Sequence, residues 1–465
     1  MPFHRLAGGA FALLLTAACP ALAATDADLA DIRAQIRALR EQYEARIQAL
    51  EARLKEAEAR ASAPAPAAIA PAVAPEPAAP VAGGNALAAF NPAISAILTG
   101  TYAHLSRDLA AFGIAGFAPT GGDVGPGKRG FSLGESELVL SANVDPRFAG
   151  NLTLSVTPED TIAVEEAFGQ WLTAPYGFNP KFGRFLSGVG YLNEQHAHAW
   201  DFVNAPLAYR AMLGGQYAND GVQVRWLAPL EDHFLEIGAE AGSGGNFPGT
   251  GRSFNGAGSS ALFAHLGGDV GASNSWRAGL SGLATRAQQR SFATAYPVEP
   301  LPPAGVGSAP VDVSFAGTSR VAIADFVWKY APNGNSRETN AKLQAEYLWR
   351  RESGELQGLP STSGYSSRQS GWYLQGVYQW EPEWRAGVRF DRLDPGRVDF
   401  GASAAYFPPV DFRPRRASVM VDYNPSEFTR IRLQYARSET LAGLPDNEFF
   451  VQYILSLGAH GAHKY

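Results

Sequence analysis

From residue 90 to its end the chain is built of sixteen segments of roughly ten residues, alternating apolar and polar side chains, joined by connections whose lengths also alternate. The segments run 93–105, 131–143, 149–157, 163–173, 178–187, 221–228, 233–242, 259–267, 275–286, 319–330, 339–351, 371–380, 384–393, 414–424, 428–438 and 448–459. A period of two gives each segment one face for a greasy surface and one for water. After even-numbered segments the joins are turns: DPRF, APYG, APLED, APNGNS, EPE and NPSE. After odd-numbered segments they are long, at 106–130, 188–220, 243–258, 287–318, 352–370 and 394–413, with 158–162 the short exception. A soluble sandwich has no reason to keep this parity. A membrane barrel does, with short turns on one side of the bilayer, long loops on the other and an even strand number. The expected fold over 90–465 is all-β, a 16-stranded antiparallel transmembrane β-barrel.

Side chains on the two faces agree with that reading. Segment 339–351 presents Ala341, Leu343, Ala345, Tyr347 and Trp349 on one side and Lys342, Gln344, Glu346 and Arg350 on the other. Segment 384–393 opposes Trp384, Ala386, Val388 and Phe390 to Arg385, Arg389 and Asp391. Trp276, Trp328, Trp380 and Trp384 fall beside short turns, and Trp349 and Trp372 beside long loops, as two interfacial girdles require. Aromatic residues at 11% are too many for a disordered chain. Beyond the extreme N-terminus no apolar run approaches the ~20 residues of a membrane helix, so a helical transporter is excluded. The net charge of −6 argues against a nucleic-acid partner.

Three other materials precede the barrel. Residues 1–24 read as a signal peptide, with the apolar run Leu6 to Ala18 and the small-x-small site Ala21-Leu22-Ala23. Cleavage after Ala23 removes Cys19, the only cysteine, and leaves a chain without disulfides. Residues 25–61 carry a heptad seam, Leu29, Ile32, Ile36, Leu39 and Tyr43, then Ile47, Leu50, Leu54 and Ala57, which predicts an α-helical coiled coil. Residues 62–89 form a Pro/Ala-rich linker, an extended spacer.

A sixteen-strand barrel is wide enough for an aqueous channel, so inward charges decide what passes. Lys342, Arg350, Arg385, Arg389, Arg416, Arg430 and Arg432 form the expected basic wall, unless they pair with Glu346, Asp391 and Asp422. In 188–220, Trp200, Phe202, Leu207 and Tyr209 are out of place on a solvated loop. Folding inward would make it a constriction loop and place Glu194, His196, His198, Asp201 and Arg210 in the channel. His196 and His198 either hydrogen-bond the wall or, as the alternative, bind a metal. With eight histidines in all, the chain offers little for a Ser–His or Asp–His centre, and no enzyme is expected. No cofactor is implied.

The segments GFSLGESELVLSANVDPRFAGNLTLSV, FGRFLSGVGYLNEQHAHAWDF and DGVQVRWLAP resemble the trimeric porins of Gram-negative outer membranes, and most of all relatives of the phosphate-selective porin O and P family. The terminal aromatic Tyr465 fits the same group. The resemblance implies a homotrimer with three pores, a basic lumenal ladder and a third loop that narrows each pore. It implies passive diffusion of small hydrophilic solutes, with anions preferred. The expected location is the outer membrane, among its lipids, with the coiled coil in the periplasm and a possible contact with peptidoglycan. The alternatives are a zinc-related uptake channel or receptor, and a cell-wall tether built on the coiled coil.

Overall fold

The computed structural model describes residues 93–107, 112–117, 125–156, 161–250, 255–293, 312–358, 362–407 and 410–458. The signal peptide, coiled coil, linker and Tyr465 lie outside the described residues.

Sixteen antiparallel strands close into a barrel. They are β1 (Ala93–Leu105), β2 (Gly130–Ser132 and Ser136–Asn143, one strand broken in two), β3 (Phe148–Val156), β4 (Ile162–Trp171), β5 (Phe178–Leu186), β6 (Ala218–Leu227), β7 (His233–Gly242) and β8 (Ser259–Val270). The second half comprises β9 (Asn274–Ala293), β10 (Asp312–Tyr330), β11 (Asn340–Gln357), β12 (Ser363–Glu381), β13 (Trp384–Asp399), β14 (Arg415–Ser426), β15 (Thr429–Leu441) and β16 (Leu444–Gly458). Each strand pairs with its sequence neighbours, and β1 pairs with β16 from Ser95↔Gly458 to Leu105↔Glu448, which leaves no open edge. The short turns hold themselves: Asp145 accepts hydrogen bonds from the backbone N–H groups of Arg147 and Phe148 at 2.6 and 2.8 Å.

The wall is taller on one side. β9 to β12 have 18 to 20 residues, whereas β3 to β7 have 9 or 10. On β11 the outward row is Leu343, Ala345, Tyr347, Trp349, then Arg351, Ser353 and Glu355. The apolar band therefore stops at Trp349 and the strand continues as a polar rim. Expected boundaries fell short on this side because the pattern sought was a greasy face, and the rim has none. Aromatic rings border the band: Trp380 lies 6.5 Å from Trp384 at the short-turn end, and Tyr347 4.3 Å from Trp349 at the other.

The lumen is not an open bore. Residues 187–217 fold into it and carry the helix α1 (Leu207–Leu213), every residue of which is buried. With Ile114 and Phe117 they pack on the inner-wall residues Leu283, Val321, Ile323, Leu348, Tyr373 and Leu393. The helix ends at Gly214, whose φ of 71° is left-handed and suits glycine. Its first N–H, that of Leu207, donates to Asp391 on β13 at 2.8 Å, so the barrel wall supplies the cap that Pro206 lacks.

Candidate functional site

The inward loop is pinned by wall side chains that answer its backbone. Glu346 accepts hydrogen bonds from the N–H groups of Tyr191 and Leu192 at 3.2 and 3.0 Å and from the Tyr209 hydroxyl at 2.6 Å. Gly190 makes this approach possible. Its φ is +74°, and a Cβ there would stand 2.5 Å from both a Glu346 oxygen and the Tyr209 hydroxyl. Glu240 receives the Gly188 N–H at 2.8 Å, and Gln434 receives that of Val203 at 2.7 Å. A buried loop without such acceptors would lose desolvation energy at every N–H.

Four of the seven basic wall residues are buried rather than lining water, and three of these hold the loop. Arg350, Arg389, Arg416 and Arg432 are between 0% and 2% exposed. Arg350 donates to the Ala211 carbonyl at 2.8 Å, Arg389 to the Asn204 carbonyl at 2.8 Å and Arg416 to the Ala205 carbonyl at 2.7 Å. Asp391 bridges Arg389 and Arg416, each at 3.2 Å, and Asp422 binds Arg432 at 2.8 Å. Glu346 makes hydrogen bonds to the loop instead of a pair with arginine. Arg210 sits on α1, 4% exposed; burial, with Arg416 and Arg389 nearby, pushes its guanidinium down to about 9.

The other three, Lys342, Arg385 and Arg430, line a cavity of about 1310 Å3 that opens among the short turns, bordered by Ser336, Glu383, Asn424 and Glu427. Four of the five expected loop residues, Glu194, His196, His198 and Asp201, line it too. Asp201 receives Lys342 at 2.5 Å and Arg385 at 3.0 Å. Burial pushes the Asp201 carboxyl up, but Lys342 and then Arg385 outweigh it and hold it at about 2. Burial likewise opposes ionisation of Glu194, and Arg225 and Arg277 reverse that and keep it below the usual carboxylate range.

Opposite the basic side stands a carboxylate–histidine cluster. His196 Nδ1 lies 3.0 Å from Glu165 and 3.4 Å from Glu137, and its Nε2 lies 3.2 Å from Glu166. His198 Nδ1 lies 2.6 Å from Glu137, and the two imidazoles stack with centroids 5.7 Å apart. Burial lowers the His196 imidazolium's stability, but hydrogen bonds to Glu165 and Glu166 and the charge of Glu137 raise its pKa well above the ordinary value. A strict period of two would point Glu165 and Glu166 to opposite faces. The register shift at Thr153/Leu154 against β4 puts a bulge there, and both carboxylates reach His196. The sequence did not disclose that bulge. Glu137, Glu165 and His196 are also the one set among the described residues close enough to share a metal ion, their ligand atoms lying within 4.8 Å. Both ring nitrogens of His196 face carboxylates, so the imidazolium already occupies the place of a cation.

Acids on β2 and β4 thus face bases on β10, β11 and β13, where Lys329, Lys342 and Arg385 line the same cavity. Opposed rows of this kind set a field across the space between them.

No family model matches the chain. Among solved structures, OmpTdeltaL8, a loop deletion mutant of an outer membrane protein of Vibrio cholerae, is 12% identical, with a TM-score of 0.47 over 79% of this chain and 100% of that one. The outer membrane channel DcaP of Acinetobacter baumannii is 13% identical, with a TM-score of 0.46 over 81% and 100%. By sequence, an uncharacterized protein of Aquifex aeolicus is 32% identical over 367 residues, 73% of this chain and 71% of its own length. The chain belongs to the same family as that Aquifex protein.

Proposed function

We propose that the chain is an outer-membrane porin: a water-filled channel through which small hydrophilic solutes diffuse down their gradients, with anions mildly preferred. The observation that carries the reading is the pinned loop. A barrel with a lipid-facing apolar band holds inside it a loop fixed by wall carboxylates and arginines, and between loop and wall leaves a charged cavity of about 1310 Å3. On this reading the loop narrows the pore, and the cavity beside it is part of the path. Short turns then face the periplasm and long loops the exterior. The anion preference rests on Lys329, Lys342, Arg385 and Arg430 along the cavity; Asp201, with Glu137, Glu166 and Glu194 on the same cavity, offsets much of that charge, which makes the preference mild.

Assembly as a homotrimer, with residues 25–61 as a periplasmic coiled coil that joins the three chains and reaches toward peptidoglycan, completes the proposal. Single-channel recording in a planar bilayer tests it. The expected result is conductance in triplet steps and a reversal potential that favours anions at low salt. A full-length chain that inserts and passes no current ends the porin reading. Deletion of 26–61 is expected to weaken the trimer and leave the strand signal in circular dichroism intact.

A further inference from the structure

On the outer face of the tall wall, Arg320 of β10 stands directly opposite Arg351 of β11, Arg351 opposite Arg368 of β12, and Arg368 opposite Arg397 of β13. Four guanidinium groups thus form one unbroken row across four strands, spaced about 5 Å apart at the backbone. All four are exposed. Arg351 shares its face with Trp349 and Tyr347, and Arg368 with Trp372, so the row projects from the lipid-facing side and not into the lumen. It lies two residues beyond Trp349, about 7 Å past the aromatic border. Like charges directly opposite one another on a sheet are destabilising. Among the described residues no carboxylate pairs with any of the four. Two other arginines toward the same rim do have acidic partners: Arg415 binds Glu439 at 2.8 Å and Arg413 binds Asp394 at 3.3 Å. The four also border one cavity of about 1070 Å3, together with the hydroxyls of Thr318, Ser353 and Ser366. The acids at its edge are engaged: Asp399 receives the Gly401 N–H at 2.9 Å, and Glu352 pairs with Arg290 at 2.8 Å.

We infer that the row Arg320–Arg351–Arg368–Arg397 is a docking site for the phosphorylated headgroup of a glycolipid in the outer leaflet. Guanidinium forks suit phosphate oxygens, and a row of four fits a headgroup with more than one phosphate. Lipid is the source because the side chains leave the wall on its lipid-facing parity, at headgroup depth. The inference rests on the orientation given above, long loops outward, and not on conduction.

The test uses the full chain in detergent, titrated with lipid A, a disaccharide glycolipid with two phosphates, and with the same lipid dephosphorylated, with native mass spectrometry counting bound copies. The wild type is expected to retain lipid A and release the dephosphorylated form. Replacing all four arginines with Gln should weaken lipid A binding by about fivefold for each charge removed. The matching set of Lys replacements should keep most of it. Equal binding by the Gln variant, or equal binding of the dephosphorylated lipid, overturns the proposal. So does displacement of lipid A by millimolar inorganic phosphate, which would make the ligand a free anion. Should the fourfold Gln variant fail to fold, the pair Arg351→Gln and Arg368→Gln replaces it. Recording in lipid-A-free bilayers separates the two readings. A chain that binds lipid A but carries no current sinks only the porin; one that conducts but ignores the phosphates sinks only this site.

Discussion

Glu346 illustrates how much a single side chain does here. It accepts from two backbone N–H groups and two tyrosine hydroxyls, those of Tyr209 and Tyr373, at the centre of the inward loop's attachment. Glu346→Ala leaves these donors buried without an acceptor, at about 1–3 kcal/mol each for the worst placed. The expected result is a looser loop: higher mean conductance and more open-channel noise, with the strand signal unchanged. Unaltered conductance would detach the loop from the pore. His196 adds a pH-dependent tie to the same loop. Its folded pKa is raised, so the ion pairs with Glu137, Glu165 and Glu166 contribute fully below the unfolded value of about 6.5 and are lost as pH climbs through the raised value. The neighbouring His198 and the three carboxylates are the groups facing it. Wild-type noise should therefore increase above neutral pH, and His196→Gln should show that noise at every pH. The sequence indicated that Glu194, His196, His198 and Asp201 belong to one inward loop, because Trp200 and Phe202 have no place in solvent. It could not show which arginines the loop would cover, since Arg385 and Arg389 share a face and differ only in height beneath residues 199–207.

At the scale of the element, β12 shows both halves of its design. Leu374 is outward and 39% exposed, and Gln375 inward and 2% exposed, bonded to Asp201 at 2.9 Å. Leu374→Arg in mid-band is expected to cost about 2–4 kcal/mol in a folding titration from urea into lipid vesicles. Ser366→Arg, on the same face but in the polar rim, should cost close to nothing. Equal penalties would mean that the apolar band is not the membrane-embedded zone. The facing of the later strands was legible, because a period of two with one apolar face allows only one phase. What escaped were the places where the phase changes or the face loses its contrast: the bulge at Glu165, the break at 133–135 within β2, and the rim beyond Trp349. The helix α1 escaped too. Seven residues are too few to establish a helical period, and its cap comes from Asp391, nearly two hundred positions away in the chain.

For the molecule as a whole, the charge of the cavity is the property a solute meets, and it comes from strands far apart in sequence. Lys342, Arg385 and Arg430 belong to three strands, and Glu137, Glu166 and Glu194 to two others and the loop. Replacing Lys342, Arg385 and Arg430 by Gln removes three positive charges from the path and leaves Asp201 without its ion-pair partners. Both changes act in the same direction, so the permeability ratio should move from anions toward cations. Salt decides how far. At ~0.1 M the screening length is about 10 Å, so wall charges act well beyond their own surface, whereas at ~1 M it is about 3 Å and each charge governs only its own surface. The reversal potential under a salt gradient should therefore separate wild type from variant clearly at low salt and barely at high salt. A variant that keeps its anion preference at low salt would place the selecting charges elsewhere, in the long external loops, and leave the opposed rows of the cavity to hold the loop in position.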